Sequence, residues 1–336
     1  MDRQQFMQDF LEQSGWGHAA SSPLAGDASP RRYRRLVDPA NGASRVLMDA
    51  PPDICGPLEP FVRATGFLEG SGCCPPRIHA IDIAHGFLLL EDLGDDLVAS
   101  VLRDQPELEF PIYSTAIDLL LHLRGRTPGP GFPQYSPQQQ SELAGLAIEW
   151  YWAGVTGEEP EPGFIETFRT LIRDLVSGLE GEPVFVHRDY HAENLIWLPG
   201  RAGIRRLGVL DYQDGSTGHP AYDLVSILED ARRDIPEDLQ TEMVARYASL
   251  SGQKEDRLRR DMAVCGAQRN LRIVGIFARL TIRDGKPRYL DHLPRVWHYL
   301  AGNLSHPSLG ELAGFVESHL PVPGPDVLSR LRALSP

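Results

Sequence analysis

The stretch Val184-Phe-Val-His187-Arg188-Asp189-Tyr190-His191-Ala192-Glu193-Asn194-Leu-Ile-Trp197, continued by Leu207-Gly-Val-Leu210-Asp211-Tyr212-Gln213-Asp214-Gly215, decides the fold. Two short apolar runs flank a polar loop, and a third apolar run ends in an aspartate. Short apolar runs bounded by turn residues read as buried strands. Three polar side chains are thereby presented at strand ends: Asp189, Asn194 and Asp211. Their spacings are 194 − 189 = 5 and 211 − 189 = 22 residues.

Working upstream, residues 2–14 place Phe6, Phe10 and Leu11 at helical spacing and stop at Gly15. Strand-like pieces follow at about 18–25, 31–38 and 44–50, the last closed by Pro51-Pro52. Residues 57–69 read as a helix, and 77–82 with 86–90 as a strand pair. After Glu91-Asp92-Leu93-Gly94 the pattern changes. Residues 110–124, 138–151 and 163–180 have helical period, and from Tyr222 onward the chain is helical with loops. A strand-rich first part and a helix-rich second part predict an α+β fold in two lobes, residues 1–92 and 93–336.

Composition narrows the function classes. The 336 residues carry 33 Lys and Arg against 46 Asp and Glu, a net charge of −13. An acidic chain is a poor general binder of nucleic acid. No apolar stretch approaches the roughly 20 residues of a membrane span. The N-terminus has both charge signs and no apolar core, so it does not read as a secretory signal. Cys55, Cys73, Cys74 and Cys265 have no zinc spacing and read as reduced thiols of a cytoplasmic protein. The sequence leaves the oligomeric state open.

Phosphoryl transfer from a nucleotide needs a carboxylate to orient the attacking hydroxyl and oxygen ligands to hold Mg²⁺ on the phosphates. The string H-R-D-x-x-x-x-N followed by a strand-end Asp supplies them. HRDYHAENLIW…GVLDYQDG resembles the aminoglycoside-phosphotransferase branch of the protein-kinase-like fold. The resemblance implies a bilobal kinase fold, ATP as phosphoryl donor and Mg²⁺ as cofactor. It implies Asp189 as catalytic base, and Asn194 and Asp211 as metal ligands. Asp223, in Pro220-Ala-Tyr-Asp223, would brace the catalytic loop together with His187.

The same resemblance reads Gly86-Phe-Leu-Leu-Leu-Glu91-Asp92-Leu93-Gly94 as a strand and hinge. Glu91 would offer adenine its C=O, and Leu93 its N–H. The segment 25–33, with Ser29 and Arg32, takes the phosphate-loop place but lacks G-x-G-x-x-G. One departure stands out: kinase folds put a Lys on the third strand, and here that strand reads Arg45-Val-Leu-Met48-Asp49. Glu59 is the helix acid that such a Lys would pair. Arg32, Arg34 or Arg45 would substitute for the lysine, or Mg²⁺ and backbone would hold the phosphates without one.

For the acceptor, residues 257–295 hold ten Lys and Arg against three Asp, 10 − 3 = +7 in a chain of −13. Such a segment suits an anionic substrate better than a polycationic one. Gln268-Arg-Asn-Leu-Arg-Ile-Val-Gly-Ile-Phe-Ala-Arg279, with Val46–Asp53, Ala221–Asp234 and Arg283–Tyr289, resembles the bacterial anomeric kinases of N-acetylmuramate and N-acetylglucosamine used in peptidoglycan recycling. That implies ATP and an amino sugar as partners, with transfer to the C1 hydroxyl. Arg269 and Arg279 are then expected to meet a carboxylate, and His191 and Asp214 the sugar hydroxyls. Alternatives are a kinase of the same family for an aminoglycoside, choline or homoserine, and a non-catalytic ATP-binding regulatory protein, which Met48 suggests. No A-P-E string follows Asp211, which disfavours a protein kinase.

Overall fold

The structure, a computed structural model, describes residues 2–24 and 30–336. Five antiparallel strands form one sheet in the order β1-β2-β3-β5-β4: β1 (Ala20–Leu24), β2 (Arg32–Val37), β3 (Ser44–Asp49), β4 (Ile78–Asp82) and β5 (Phe87–Glu91). Leu36, Leu47, Phe87 and Leu89 face the helix Arg3–Gln13, which supplies Phe10 and Leu11 to a common core. Pro23 lies on β1, an edge strand, where a missing N–H is tolerated. The helix Glu59–Gly70 and the segments predicted at 18–25, 31–38, 44–50, 77–82 and 86–90 thus have the expected types, with ends moved by no more than two residues.

Contact clustering separates two compact units. One comprises Met1–Thr115 and Glu193–Gly215, the other Ala116–Ala192 and Ser216–Pro336. The first therefore includes, besides the sheet, the hairpin of β7 (Leu195–Trp197) and β8 (Leu207–Val209). The second pairs β6 (Val184–Val186) with β9 (Ser216–Gly218) and is otherwise helical.

The spine of the second unit is the 28-residue helix Glu255–Ile282. Val264, Ala267, Leu271, Val274 and Ala278 recur every three or four residues and are buried. They pack on Phe168 and Ile172 of the helix Pro162–Ser177, on Val296 and Leu300 of the helix Leu293–Leu304, and on Tyr151. The sequence predicts one helix over 138–151. The structure instead runs α-helical through Pro137–Leu146 and widens to a π turn over Ala147–Trp152. Gly275 of the long helix sits at that junction, where a Cβ would lie 2.2 Å from the carbonyl carbon of Leu146. Only glycine permits so close an approach of two backbones.

Candidate active site

β6 runs into the polar loop at His187. Asp223, buried in the first turn of the helix Ala221–Leu228, accepts the backbone N–H groups of His187 at 2.5 Å and Arg188 at 2.9 Å. Arg188 has φ of 76°, a left-handed conformation that costs a long side chain about 1–3 kcal/mol. The two charge-assisted bonds hold it there. On one side of the turn Tyr190 is buried, its hydroxyl donating to the Ala116 carbonyl at 3.1 Å. Asp189 keeps its side chain 38% exposed.

The carboxylate of Asp189 faces Arg272, whose Nη2 lies 3.8 Å from Oδ1. Burial alone pushes the Asp189 carboxyl up. The positive charge of Arg272, followed by His191, Arg269 and His187, overcomes that and holds it at about 2. Asp189 is therefore ionised throughout the physiological range. Arg272 is itself anchored, donating from Nη1 to the Tyr222 hydroxyl at 3.1 Å. The sequence reading counts Arg272 among the ten basic residues but does not single it out. The signal that finds it is phase: Arg272, Gly275 and Arg279 stand at i, i+3 and i+7, one stripe of the long helix.

His191, expected to touch a sugar hydroxyl, is buried, and its Nε2 accepts from Arg232 at 3.2 Å. Burial is the main reason that its pKa falls to about 4. The charge of Arg232 lowers it further, while Asp230 opposes the fall. Asp230 also binds the Ala192 N–H at 3.3 Å and the Arg232 N–H at 2.8 Å, tying the loop to the segment after Leu228. Arg269, three residues before Arg272, is buried, and its Nη1 donates to the Glu229 carbonyl at 3.2 Å. The spacing 279 − 269 = 10 turns those two arginines about 80° apart around the axis, whereas Arg272 and Arg279 are about 20° apart.

The other expected residues belong to the first unit. Asn194 ends the short turn Ala192–Asn194 and accepts the Leu210 N–H at its carbonyl, 2.9 Å, as the β7–β8 ladder begins. That pairing sets Asn194 beside the strand end that delivers Asp211. Asp211 has φ of 57°, a conformation that Asp adopts more readily than most residues. Its Oδ1 accepts from Gln213 Nε2 at 2.9 Å. Asp214 is exposed in the next turn, which the bond from the Gly215 N–H to the Tyr212 carbonyl closes. Tyr33, on β2, has its hydroxyl pushed up to about 12 by burial and then by the charge of Asp211.

Glu91 ends β5, and its side chain takes a 2.7 Å bond from Arg201 Nη2, whose Nη1 reaches Cys74 Sγ at 3.0 Å. Leu93 rests on Gly208 of β8, where a Cβ would be 2.9 Å from Leu93 Cδ1. The stretch after β5 is thus packed on the hairpin flanked by Asn194 and Asp211. Ser29 lies outside the described residues.

Arg32, Arg34 and Arg45 pair across the β2–β3 ladder with Asp49, Leu47 and Leu36. Side chains of directly paired residues share a face, and Leu36 and Leu47 pack on the helix Arg3–Gln13. The three arginines thus project away from Tyr33 and Met48. Arg34 binds Ser21 at 2.7 Å, Arg45 lies over the Trp16 ring at 5.4 Å, and Arg32 lines a concavity of about 700 Å³ with Arg3, Phe6 and Ile54. None takes the expected place of the lysine on the Tyr33 face. Arg35 is on that face, held by Asp92 and Asp95 at 2.8 Å each.

Among the described residues no cluster of three or more His, Cys, Asp or Glu has metal-holding geometry. Asn194 and Asp211 offer two hard oxygen donors, which fits a small dication that keeps waters and phosphate oxygens as its other ligands. It does not fit a site that a protein cage must complete.

A model of the phosphotransferase enzyme family matches residues 21–262. The N-acetylmuramate/N-acetylglucosamine kinase of Pseudomonas aeruginosa is 36% identical over 90% of this chain and 90% of its own. The enzyme of the same name from Caulobacter vibrioides is 34% identical over 93% and 95%. A choline/ethanolamine kinase family protein from Mesorhizobium loti superposes with a TM-score of 0.60 over 99% of this chain and 100% of that one, at 13% identity, a likeness of fold.

Proposed function

Because the chain belongs to the phosphotransferase enzyme family, we propose that it transfers the γ-phosphoryl group of ATP to the anomeric hydroxyl of N-acetylmuramate and N-acetylglucosamine. The observation that carries this reading is likeness over nearly the whole chain to kinases of that name. Two features of the chain support the transfer chemistry: a partly exposed, ionised Asp189 on a braced turn, and Asn194 beside the strand end of Asp211.

In the reaction the C1 oxygen bonds to the γ-phosphorus, the bond from phosphorus to the bridging oxygen of ADP breaks, and the proton of the C1 hydroxyl passes to Asp189. A carboxylate at about 2 is a weak base. It orients the hydroxyl first and takes the proton late, as bonding to phosphorus makes the hydroxyl acidic. Asn194 and Asp211 would hold Mg²⁺, which when bound neutralises phosphate charge. Glu91 and Leu93 would receive the adenine, and His187 and Asp223 keep the turn in place. The lobe assignment 1–92 for nucleotide and 93–336 for acceptor belongs to this reading, as does a cytoplasmic role in recycling cell-wall sugars. No helix among the described residues is long and apolar enough to cross a membrane.

The test is incubation with ATP, Mg²⁺ and a panel of amino sugars, aminoglycosides, choline and homoserine, with phosphorus NMR of the products. We expect a sugar 1-phosphate from the two N-acetyl sugars. Asp189→Asn should lower turnover by roughly 10²- to 10⁴-fold while nucleotide binding changes little, because the carboxylate acts on the acceptor. Full turnover by that variant, or transfer only to another acceptor, would reject the assignment.

A further inference from the structure

The arginines of the helix Glu255–Ile282 are almost all matched. Arg257 meets Glu180, Arg259 meets Glu255, Arg260 donates to the Gly178 carbonyl and Arg269 to that of Glu229. Arg272 has Tyr222 and Asp189. Arg279 differs: among the described residues no group gives its side chain a hydrogen bond or an ion pair, and its Nε is shielded from solvent. The acids nearest in charge are spoken for. Glu149 binds Arg169 at 2.6 Å, and Asp284 binds Arg283 at 2.6 Å.

A half-buried guanidinium without a counter-ion is unfavourable unless a ligand supplies one. Burial is the first cause of its lowered pKa, and the nearby charge of Arg283 adds to it. Arg279 also lies on the stripe of Arg272, seven residues or about 10 Å further along the axis. Arg272 faces Asp189, the residue assigned to the acceptor hydroxyl. An acceptor whose reactive hydroxyl is at Asp189 can therefore send a second group along this stripe toward Arg279. N-acetylmuramate differs from N-acetylglucosamine by a lactyl ether that ends in a carboxylate, and guanidinium binds carboxylate through two parallel hydrogen bonds.

We propose that Arg279 is the specificity-determining residue that binds the acceptor's carboxylate, and that Arg269 has no part in it. This rests on the sugar-kinase reading above and adds which residue tells the anionic sugar from the neutral one. Arg279→Gln and Arg279→Lys are compared with wild type and with Arg269→Lys, using both sugars. Arg279→Gln should raise KM for N-acetylmuramate by roughly 10- to 150-fold, the worth of a lost charge-assisted hydrogen bond, and leave N-acetylglucosamine unchanged. Arg279→Lys should recover part of that, since Lys keeps the charge but not the fork. Arg269→Lys should move both sugars together or neither. Thermal melts establish that each variant is folded. Equal losses for both sugars in Arg279→Gln, or no loss for either, overturn the proposal and leave the sugar-kinase reading standing. A wild type that phosphorylates neither sugar overturns that reading and the proposal with it.

Discussion

In the proposed transfer Asp189 acts on the acceptor hydroxyl, and its separation of 3.8 Å from Arg272 makes their coupling electrostatic rather than a close hydrogen bond. Burial favours a neutral Asp189, and the cation of Arg272 is the largest influence against it. Arg272→Gln removes that cation and leaves the burial. An opposite charge at this range lowers a carboxyl pKa by about 1–3 units, so its loss should raise the Asp189 pKa by a similar amount. A protonated Asp189 accepts no proton from the acceptor, so the acid limb of kcat/KM should move to higher pH in the variant. Arg272→Lys should keep the limb near its wild-type position. The measurement is the pH profile of the three proteins. Superimposable profiles would show that Arg272 does not set the charge of Asp189.

At the scale of elements, the contact between the long helix and the π turn depends on one missing methyl group. Alanine is the better helix former by about 1 kcal/mol in a helix interior, so Gly275→Ala would stabilise a solvent-facing position. Here its Cβ would meet Leu146 and Ala147 backbone atoms at 2.2 and 2.5 Å, and backbone cannot swing aside as a side chain does. Overpacking of this kind costs about 1–3 kcal/mol. We expect a net loss of stability, read as a lower urea midpoint at unchanged slope, and weaker use of both sugars because Arg272 and Arg279 flank the displaced contact. A variant at least as stable as wild type would mean that the helices separate at no cost.

For the whole molecule, pH dependence of stability should carry the mark of Glu229. It is buried, takes bonds from Asn270 at 2.7 Å and Asn303 at 2.8 Å, and is raised to about 7, chiefly by burial. A folded pKa above the unfolded value means that the native state holds the proton longer. The stabilisation is complete below about 4.5 and is lost as pH rises toward 7, on the order of 3 kcal/mol. Glu229→Gln, neutral at every pH, should remove that slope, and chemical denaturation between pH 4.5 and 8 measures it. Parallel curves for the two proteins would place the proton elsewhere.

Glu229 also shows where sequence reading stops. The sequence alone determined the order of strands and helices and the three positions Asp189, Asn194 and Asp211. These follow from local rules: apolar runs, turn residues and a loop of fixed length, all within 23 residues. The tertiary structure decided which cation faces Asp189, that Arg269 is buried on a carbonyl, that Arg35 and not Arg32, Arg34 or Arg45 shares the face of Tyr33, and that Arg279 is left unmatched among the described residues. A helix with arginines around much of its circumference does not announce which of them points inward. Its rotation about its own axis is set by packing, here by Val264, Leu271 and Val274 in the core and by the backbone approach at Gly275. Those contacts join segments more than a hundred residues apart, such as Gly275 and Leu146, and no local pattern encodes them.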